Sequence, residues 1–385
     1  MDFDLTDEQQ LLKDSVDRLI ADRYGDFERR KKYAQCSGGW SRAVWQDFAS
    51  LGLTALPFDE SLGGIGGGPV ETMIVMEAIG RGLALEPFLS TVVLGGAALR
   101  LGASKTLMEE VAPPIAGGDL ILALAYGEPQ SRYNLANVKT LARLENGHYV
   151  LEGRKSLVMN GGSADKLIVS ARTSGAEADR DGITLFLADA KAPGVEIHDS
   201  AGQDGRRVAE IIFSGARVSV DWVLGLPGQG HALLSELADI AIAALAAEAV
   251  GAMERLQALT ADYLKTRKQF GVPIGSFQVL QHKAVDMMIA LEQARSMACY
   301  GAMMLSAPAS ERSTALSAVK IQINKSARFL GQQAIQLHGG IGMTAEYQGS
   351  HYFKRLTAIE HMFGDTDYHM AALTRADAGE ASISP

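Results

Sequence analysis

Residues 235–278 read SELADIAIAALAAEAVGAMERLQALTADYLKTRKQFGVPIGSFQ, and this stretch organises the rest of the chain. Its first half is rich in alanine, which favours helix formation and lets a neighbouring element approach closely. One acid, Glu248, interrupts the apolar run, and a buried carboxylate is costly unless it is paired, neutral or catalytic. The second half ends with Arg267–Gly271 ahead of Pro273. Because arginine and glutamine side chains at a helix end can donate to phosphate, we predict a long helix that leads into an anion-binding segment.

Length, composition and charge indicate a chain with several structural lobes. The 385 residues exceed what one hydrophobic core usually organises, so we expect about two or three lobes. The hydrophobic content of 47% is enough to bury a large interior. The net charge of -9 and the lack of a basic run disfavour DNA or RNA as a partner.

Cysteine usage and the first residues of the chain favour a cytoplasmic protein. Cys36 and Cys299 are far apart and lack metal-ligand spacing, so we expect a reduced setting and no structural zinc or other metal site. The segment Met1–Glu8 is acidic and polar, which is the opposite of a secretory signal. The most apolar run, Ile240–Val250, is too short to span a bilayer, so we expect no membrane insertion.

Hydrophobic periodicity divides the chain into a helical, a β-rich and a second helical part. Thr6 to Gln9 reads as a capping box that begins the first helix. In the middle part, short β-rich runs bounded by turn residues predict an antiparallel barrel or sandwich, with Asn146 and Gly147 as a hairpin turn. Strands do not alternate with helices, which argues against a Rossmann fold. We predict an α+β multi-domain protein with a helical domain (1–117), a β domain (118–227) and a C-terminal four-helix bundle (228–385).

The bundle is predicted to contain four helices, and three segments within it carry a family resemblance. The predicted helices are His231–Thr266, Phe277–Ser306, Glu311–Gln336 and Ala345–Ala376. Together with the domain order, the segments Arg267–Gly271, Ser276–His282 and Gln336–Met343 make the chain resemble the acyl-CoA dehydrogenase family over nearly its whole length.

The resemblance implies a flavoenzyme and a particular reaction. In this family a carboxylate base removes a proton from Cα of an acyl-CoA thioester, FAD takes a hydride from Cβ, and the product is the trans-2-enoyl-CoA. The electrons then pass to an electron-transfer flavoprotein. Such chemistry needs a base beside Cα, donors to the thioester carbonyl and a flavin over Cβ.

The resemblance also implies FAD-binding residues at the end of the long helix. Arg267, Gln269 and Phe270 match family positions that hold the pyrophosphate and adenosine of a neighbouring subunit's FAD, and Gln278 matches a further cofactor position. Arginine suits this role because its planar fork donates two hydrogen bonds to phosphate. The ordinary alternative is a solvated charge at a helix end.

A second implied FAD segment lies near the C-terminus. Gln336, Gly339 and Gly340 match the family's C-terminal FAD loop, where glycines let backbone N–H groups approach phosphate. A plain helix C-cap is the alternative for these glycines. Thr366 matches another cofactor contact of the family.

Two other positions depart from the family pattern. The places that most members use to touch the flavin ring fall on Leu157 and Met159, and neither side chain can donate a hydrogen bond to the ring. The resemblance therefore implies that the half of the site offered to a neighbour is kept, whereas the ring-binding half of this chain's own site is altered.

Glu248 is the main candidate for the catalytic base. The family's usual glutamate falls on Gly364, and the second family position for a base falls on Ala241. Glu248 lies about two helical turns beyond Ala241 on nearly the same face. An interhelical salt bridge is the alternative for Glu248, and Asp365 is a lesser candidate for the base.

Three functions remain open from the sequence. The first is one subunit of a heterotetrameric acyl-CoA dehydrogenase, which shares its FAD site with a second, related subunit. The second is a self-sufficient homotetramer that uses Glu248 as base, and the third is a catalytically silent subunit that completes a partner's FAD site.

Asp239 matches a family acid near the CoA substrate, and similarity of Met1–Leu12 and Gly66–Glu77 to one family branch favours a dicarboxylyl-CoA such as pimeloyl-CoA.

Overall fold

Six α-helices precede the first strand in the computed structural model, which describes residues 5–377. They are α1 (Asp7–Tyr24), α2 (Phe27–Ala34), α3 (Arg42–Ser50), α4 (Pro69–Gly82), α5 (Gly96–Gly102) and α6 (Lys105–Ala116). A π-helix, Leu89–Gly95, runs directly into α5. The predicted capping box is confirmed at the start of α1, because Thr6 Oγ1 accepts the Gln9 N–H while the Gln9 side chain accepts the Thr6 N–H.

An eight-stranded sheet forms the β part of the described chain. Its strands are β1 (Leu122–Ala125), β2 (Leu141–Glu145), β3 (His148–Met159), β4 (Lys166–Arg172), β5 (Ile183–Asp189), β6 (Val195–Ala201), β7 (Arg207–Ser219) and β8 (Val223–Leu224). The order is β6-β7-β3-β2-β4-β5-β8, with β1 beside β4. The sheet is antiparallel except where β4 pairs with β1 and β2, which run parallel to it. The predicted hairpin is confirmed between β2 and β3, where Asn146 and Gly147 both have positive φ, as a type I′ turn requires.

Helices return after the sheet, and one of them differs from the prediction. The C-terminal elements are α7 (Gly230–Thr266), β9 (Lys268–Gln269), β10 (Val272–Pro273), α8 (Gln278–Met304), α9 (Ala309–His338), α10 (Gln348–Glu360) and α11 (Thr366–Asp377). The single helix predicted over Ala345–Ala376 is wrong, because α10 and α11 are separate. Phe363 and Gly364 have φ of 55° and 111° in the turn between them, and an α-helix cannot continue through such angles.

The chain folds as two compact units. Of the described residues, the bundle unit comprises 5–31, Pro69–Ala84 and 242–377, and the sheet unit comprises Lys32–Gly68 and Leu85–Ala241. The core of the sheet unit includes Phe186 and Phe213. The predicted domain boundaries at 117 and 227 remain a prediction, and the outer ends of those domains (1–4 and 378–385) lie outside the described residues.

Close packing of α4 against α7 forms part of the core of the bundle unit. A Cβ added at Gly80 would lie 1.9 Å from the carbonyl oxygen of Glu248, and one added at Gly251 would lie 1.8 Å from that of Glu77. The two backbones therefore touch at these glycines. The alanine-rich run Ala241–Val250 is buried throughout, which confirms the close approach that its small side chains predicted.

Two kinds of feature are absent from residues 5–377. No helix in this range is long and apolar enough to cross a membrane. No group of three or more His, Cys, Asp or Glu side chains in this range is arranged to hold a metal ion.

Candidate functional site

The end of α7 leads into a hairpin that carries three of the predicted FAD residues. The N–H of Arg267 donates to the Tyr263 carbonyl at 2.9 Å, which ends the helix. In the hairpin, Val272 on β10 lies opposite Gln269 on β9. The N–H of Ile274 donates to the Arg267 carbonyl at 2.8 Å and closes the base of the hairpin. Arg267, Gln269 and Phe270 are therefore held on one short, exposed element.

Phe270 occupies a strained position at the tip of this hairpin. Phe270 and Gly271 form its two-residue turn, with φ of 52° and 82°, and the phenylalanine is 92% exposed. A bulky side chain with positive φ is uncommon, and strain of this kind clusters at ligand sites. An exposed aromatic ring in a strained turn is consistent with stacking on a ligand such as adenine.

Gln278 is the first residue of α8, directly after this hairpin. Phe277 occupies the N-cap position and its side chain caps no N–H group. The first N–H groups of α8 therefore donate to no capping side chain, and the helix dipole favours an anion at this end. Gln278 is exposed there, in a position suited to a phosphate.

The loop after α9 contains the second group of predicted FAD residues. Gln336 is exposed on the last turn of α9, and Gly339 follows the helix with φ of 64° and ψ of −140°. A Cβ added at Gly339 or Gly340 would meet no atom within 4 Å. The backbone here is open to a ligand, and the conformation at Gly339 requires glycine.

The structure brings these two segments together through a residue that the sequence did not single out. The ring of His338, the last residue of α9, lies 4.7 Å from the ring of Tyr263 between their centroids. Tyr263 is one turn before Arg267, and His338 directly precedes Gly339. No local pattern identifies His338 in this role, because its partner is on a different helix.

Glu248 forms a buried ion pair. Its two carboxylate oxygens accept hydrogen bonds from Arg355 Nε at 2.7 Å and Arg355 Nη2 at 2.8 Å, and Glu248 is 0% exposed. This is the interhelical salt bridge that the sequence left open as the alternative. A general base must reach the proton that it removes, and a carboxylate held on both oxygens by a buried guanidinium is poorly placed to do so. The geometry therefore favours a structural role for Glu248.

The turn between α10 and α11 contains no free carboxylate in place of the family's usual base. A Cβ added at Gly364 would lie 2.4 Å from His369 Nε2, so this turn has no room for a side chain at that position. The Asp365 side chain accepts the Tyr368 N–H at 2.9 Å and so caps the start of α11. The geometry therefore shows a capping role for Asp365, and its assignment as a candidate base remains a prediction.

Two other predicted residues are at least partly buried. Thr366 is half-buried as the first residue of α11, and Asp239 is buried on α7 within the sheet unit. Their assignments to cofactor and substrate remain predictions.

The two flavin-ring positions lie on β3, where its pairing with β7 is irregular. The register shifts between Lys155 and Val158, and Leu157 in this bulge has φ of 53° and is 77% exposed. Met159 is half-buried at the end of the strand. The exposed side chain at the bulge is apolar, so it offers no hydrogen bond to a flavin ring.

A buried ion pair supports the same strand. Lys155 Nζ donates to Glu128 at 2.6 Å and to Ser170 Oγ at 3.0 Å. Burial alone would raise the pKa of Glu128, but the ammonium of Lys155 and hydrogen bonds to the carboxylate lower that pKa to about 2. Burial lowers the pKa of Lys155 to about 8 in spite of the attraction of Glu128. Both groups are therefore charged at neutral pH, and the pair fixes the segment after β1 against β3.

Comparison with known proteins agrees with this architecture. Models of the acyl-CoA dehydrogenase N-terminal, middle and C-terminal domains match residues 6–119, 123–216 and 228–376. The human mitochondrial short-chain specific acyl-CoA dehydrogenase is 31% identical, over 80% of this chain and 76% of that protein. A chain of the ChsE4-ChsE5 complex from Mycobacterium tuberculosis matches with a TM-score of 0.88 and 26% identity over 100% of both chains. The FAD complex of PigA matches with a TM-score of 0.90 and 25% identity, over 99% of this chain and 100% of that one.

The fold and these relatives define a flavin-linked oxidoreductase that acts on acyl-CoA. The chain belongs to the acyl-CoA dehydrogenase family, and its cofactor is FAD. The predicted fold class and family are confirmed. The open glycine loop, the exposed Phe270 and the start of α8 fit the phosphate and adenosine side of this cofactor, whereas Leu157 offers nothing polar to its ring.

Proposed function

We propose that this chain is one subunit of a heterotetrameric acyl-CoA dehydrogenase and supplies the phosphate side of an FAD site shared with a second acyl-CoA dehydrogenase-like subunit. One contrast carries the proposal. The hairpin and the glycine loop are exposed and shaped for phosphate, while Gly364 leaves no room for a base and Leu157 gives the ring no donor. The similar chain from M. tuberculosis was solved in a complex of two named chains, which supports a two-chain assembly.

The residues of this chain then have distinct roles. Arg267 and Gln269 donate to the pyrophosphate, Phe270 stacks on the adenosine, and Gln278 lies at the positive end of α8. Gln336, Gly339 and Gly340 hold the other side of the pyrophosphate, and Thr366 makes a further contact. When bound, FAD supplies the hydride acceptor for the dehydrogenation of the thioester to the trans-2-enoyl-CoA.

The base comes from the second subunit in this proposal. Both oxygens of Glu248 accept from Arg355, and Asp365 Oδ1 caps α11, so the proposal assigns the role of base to neither carboxylate. A self-sufficient homotetramer would need Glu248 to leave its ion pair. A silent subunit would bind FAD as proposed but contribute no residue that contacts the substrate.

The substrate and the electron acceptor follow from the family resemblance. We assign a dicarboxylyl-CoA such as pimeloyl-CoA, because Gly66–Glu77 and Met1–Leu12 are most similar to the branch called pimeloyl-CoA dehydrogenase small subunit. Met1–Asp4 of that segment lies outside the described residues. We assign Asp239 to the part of the site that binds CoA, and an electron-transfer flavoprotein is the electron acceptor in this proposal. The two cysteines, which form no disulfide, support a cytoplasmic location.

The first experiment measures FAD content and molecular mass for the chain purified alone and then co-purified with a candidate partner. The shared site predicts that stoichiometric FAD appears only in the two-chain complex. Stoichiometric FAD in a homotetramer of this chain alone, with dehydrogenase activity, would contradict the proposal. An FAD-containing complex whose substrate affinity and turnover do not respond to Asp239→Asn would indicate a silent subunit.

Arg267→Ala tests the phosphate-side assignment in whichever form binds FAD. We expect the FAD dissociation constant to rise roughly tenfold or more, since a charge-assisted hydrogen bond to phosphate is lost. Arg100→Ala is the matched control, because Arg100 is an exposed arginine on α5. Equal FAD affinity in the two variants would remove Arg267 from the site.

A further inference from the structure

His338 makes polar and aromatic contacts around its buried ring. It is 3% exposed, its Nδ1 lies 2.8 Å from the Ala334 carbonyl oxygen, and its Nε2 lies 2.6 Å from the Tyr347 hydroxyl. Ring centroids are 4.7 Å from Tyr263 and 4.8 Å from Tyr347. Three aromatic side chains therefore meet where α7 and α9 end.

The hydrogen bonds of this cluster have a defined direction. A carbonyl oxygen can only accept, so Nδ1 carries the proton and donates to Ala334, and Nε2 accepts from the Tyr347 hydroxyl. Burial lowers the pKa of His338 and raises the pKa of Tyr347 to about 12. The imidazole is therefore neutral and the phenol protonated at neutral pH, and the bond between them persists.

This bond closes the loop that contains the two FAD glycines. His338 and Tyr347 are nine positions apart, and Gly339 and Gly340 lie between them. Within the loop, the Thr344 hydroxyl donates to the Ile341 carbonyl at 3.0 Å. Fastening both ends reduces the conformations open to the loop, so less entropy is lost when a ligand orders it.

The ring of His338 also contacts the last turns of α7, which lead into the hairpin. The ring of Tyr263 packs against it with the two planes tilted by 33°, and the Tyr263 carbonyl accepts the N–H of Arg267. A shift of the imidazole would therefore displace both the glycine loop and the base of the hairpin.

We propose that His338 and Tyr347 are positioning residues that hold the Gly339–Gly340 loop and the Arg267–Phe270 hairpin in one arrangement around the phosphate side of FAD. The inference rests on the proposed function, since it assumes that both segments contact the cofactor. It assigns to both residues a role that acts through the two segments rather than through contact with FAD.

The test compares FAD dissociation constants of the FAD-binding form for wild type, Tyr347→Phe, Arg267→Ala, the double variant and Tyr352→Phe. We expect Tyr347→Phe to raise the dissociation constant about fivefold, since one hydrogen bond that orders the loop is lost. The variant that combines Tyr347→Phe with Arg267→Ala should raise the FAD dissociation constant by less than the product of the two single increases. The reason is that the two segments act as one unit. Tyr352→Phe is the matched control. Tyr352 lies on the neighbouring α10, and its buried hydroxyl, which this substitution removes, donates to the Arg81 carbonyl at 2.5 Å.

The outcomes separate this inference from the proposed function. His338→Asn, which keeps a donor for Ala334 and loses the bond to Tyr347, should weaken FAD binding as Tyr347→Phe does. If Arg267→Ala weakens FAD binding while Tyr347→Phe and His338→Asn bind it like wild type, the positioning role fails and the proposed function stands. Equal weakening by Tyr347→Phe and Tyr352→Phe would reflect general destabilisation and also overturn it. FAD binding that is insensitive to Arg267→Ala would overturn both.

Discussion

The ion pair of Glu248 and Arg355 joins α7 to α10 within the bundle unit, and both side chains are buried. Removing the Glu248 carboxylate deprives the buried Arg355 guanidinium of its counter-charge on α7. We expect Glu248→Gln to lower the free energy of unfolding by about 3–5 kcal/mol. Chemical denaturation followed by far-UV circular dichroism at pH 7 measures this change.

Two further variants show whether the effect comes from the pair. Glu292→Gln removes an exposed carboxylate from α8, and its effect should stay within about 1 kcal/mol. Replacing both partners, Glu248→Leu with Arg355→Met, should recover much of the loss because the buried guanidinium is removed together with its counter-charge. If this double variant is as unstable as Glu248→Gln, loss of the counter-charge of Arg355 is not the cause.

The α4–α7 crossing depends on two glycines that let the helices touch. Gly251→Ala would place a methyl group 1.8 Å from the Glu77 carbonyl oxygen, and backbone cannot move aside as a flexible side chain can. We expect a loss of at least about 1–3 kcal/mol from overpacking, measured by the same denaturation experiment. Alanine's higher helix propensity offsets only about 1 kcal/mol of this loss.

Gly301→Ala on α8 is the matched substitution for this element. A Cβ at Gly301 would lie 3.4 Å from Val319, which is an ordinary van der Waals contact. The variant should therefore be as stable as wild type or slightly more stable. If both alanine variants are equally stable, the tight crossing of α4 and α7 is contradicted.

The pH dependence of the whole protein's stability should reflect buried His369. Its Nε2 donates to the Phe363 carbonyl, its Nδ1 accepts from the Ser317 hydroxyl, and burial lowers its pKa from 6.5 to about 4. As the pH falls below 6.5, the unfolded chain takes up this proton first. The stabilisation is therefore complete above pH 6.5 and is lost progressively towards pH 4, by about 3 kcal/mol.

His369→Gln provides the measurement, because it removes this titration while keeping an amide donor near Phe363. Between pH 7 and pH 4, the free energy of unfolding should fall about 3 kcal/mol less in the variant than in wild type. His148→Gln, at an exposed histidine on β3, should keep the wild-type pH dependence. Parallel curves for wild type and His369→Gln would show that His369 is not the group responsible.

Several features could be predicted from the sequence because their causes are local. The capping box at Thr6, the turn at Asn146 and Gly147, and the order of helical and β-rich parts each depend on residues a few positions apart. The FAD segments were predicted in the same way, as short motifs with a family resemblance, and the structure shows them exposed at Phe270 and Gly339. Local patterns did not predict the break between α10 and α11, because the helical period continues on both sides of it.

The amino-acid sequence by itself determined the fold class and the family, and it predicted which segments bind FAD. Only the tertiary structure decided that Glu248 is paired with Arg355, that Asp365 caps a helix and that His338 joins two segments. Glu248 and Arg355 are 107 positions apart, and a carboxylate's chemistry depends on which distant side chain folding places beside it. Local periodicity and propensity carry no information about that partner, so one buried glutamate is compatible with a base or a salt bridge until the chain is folded.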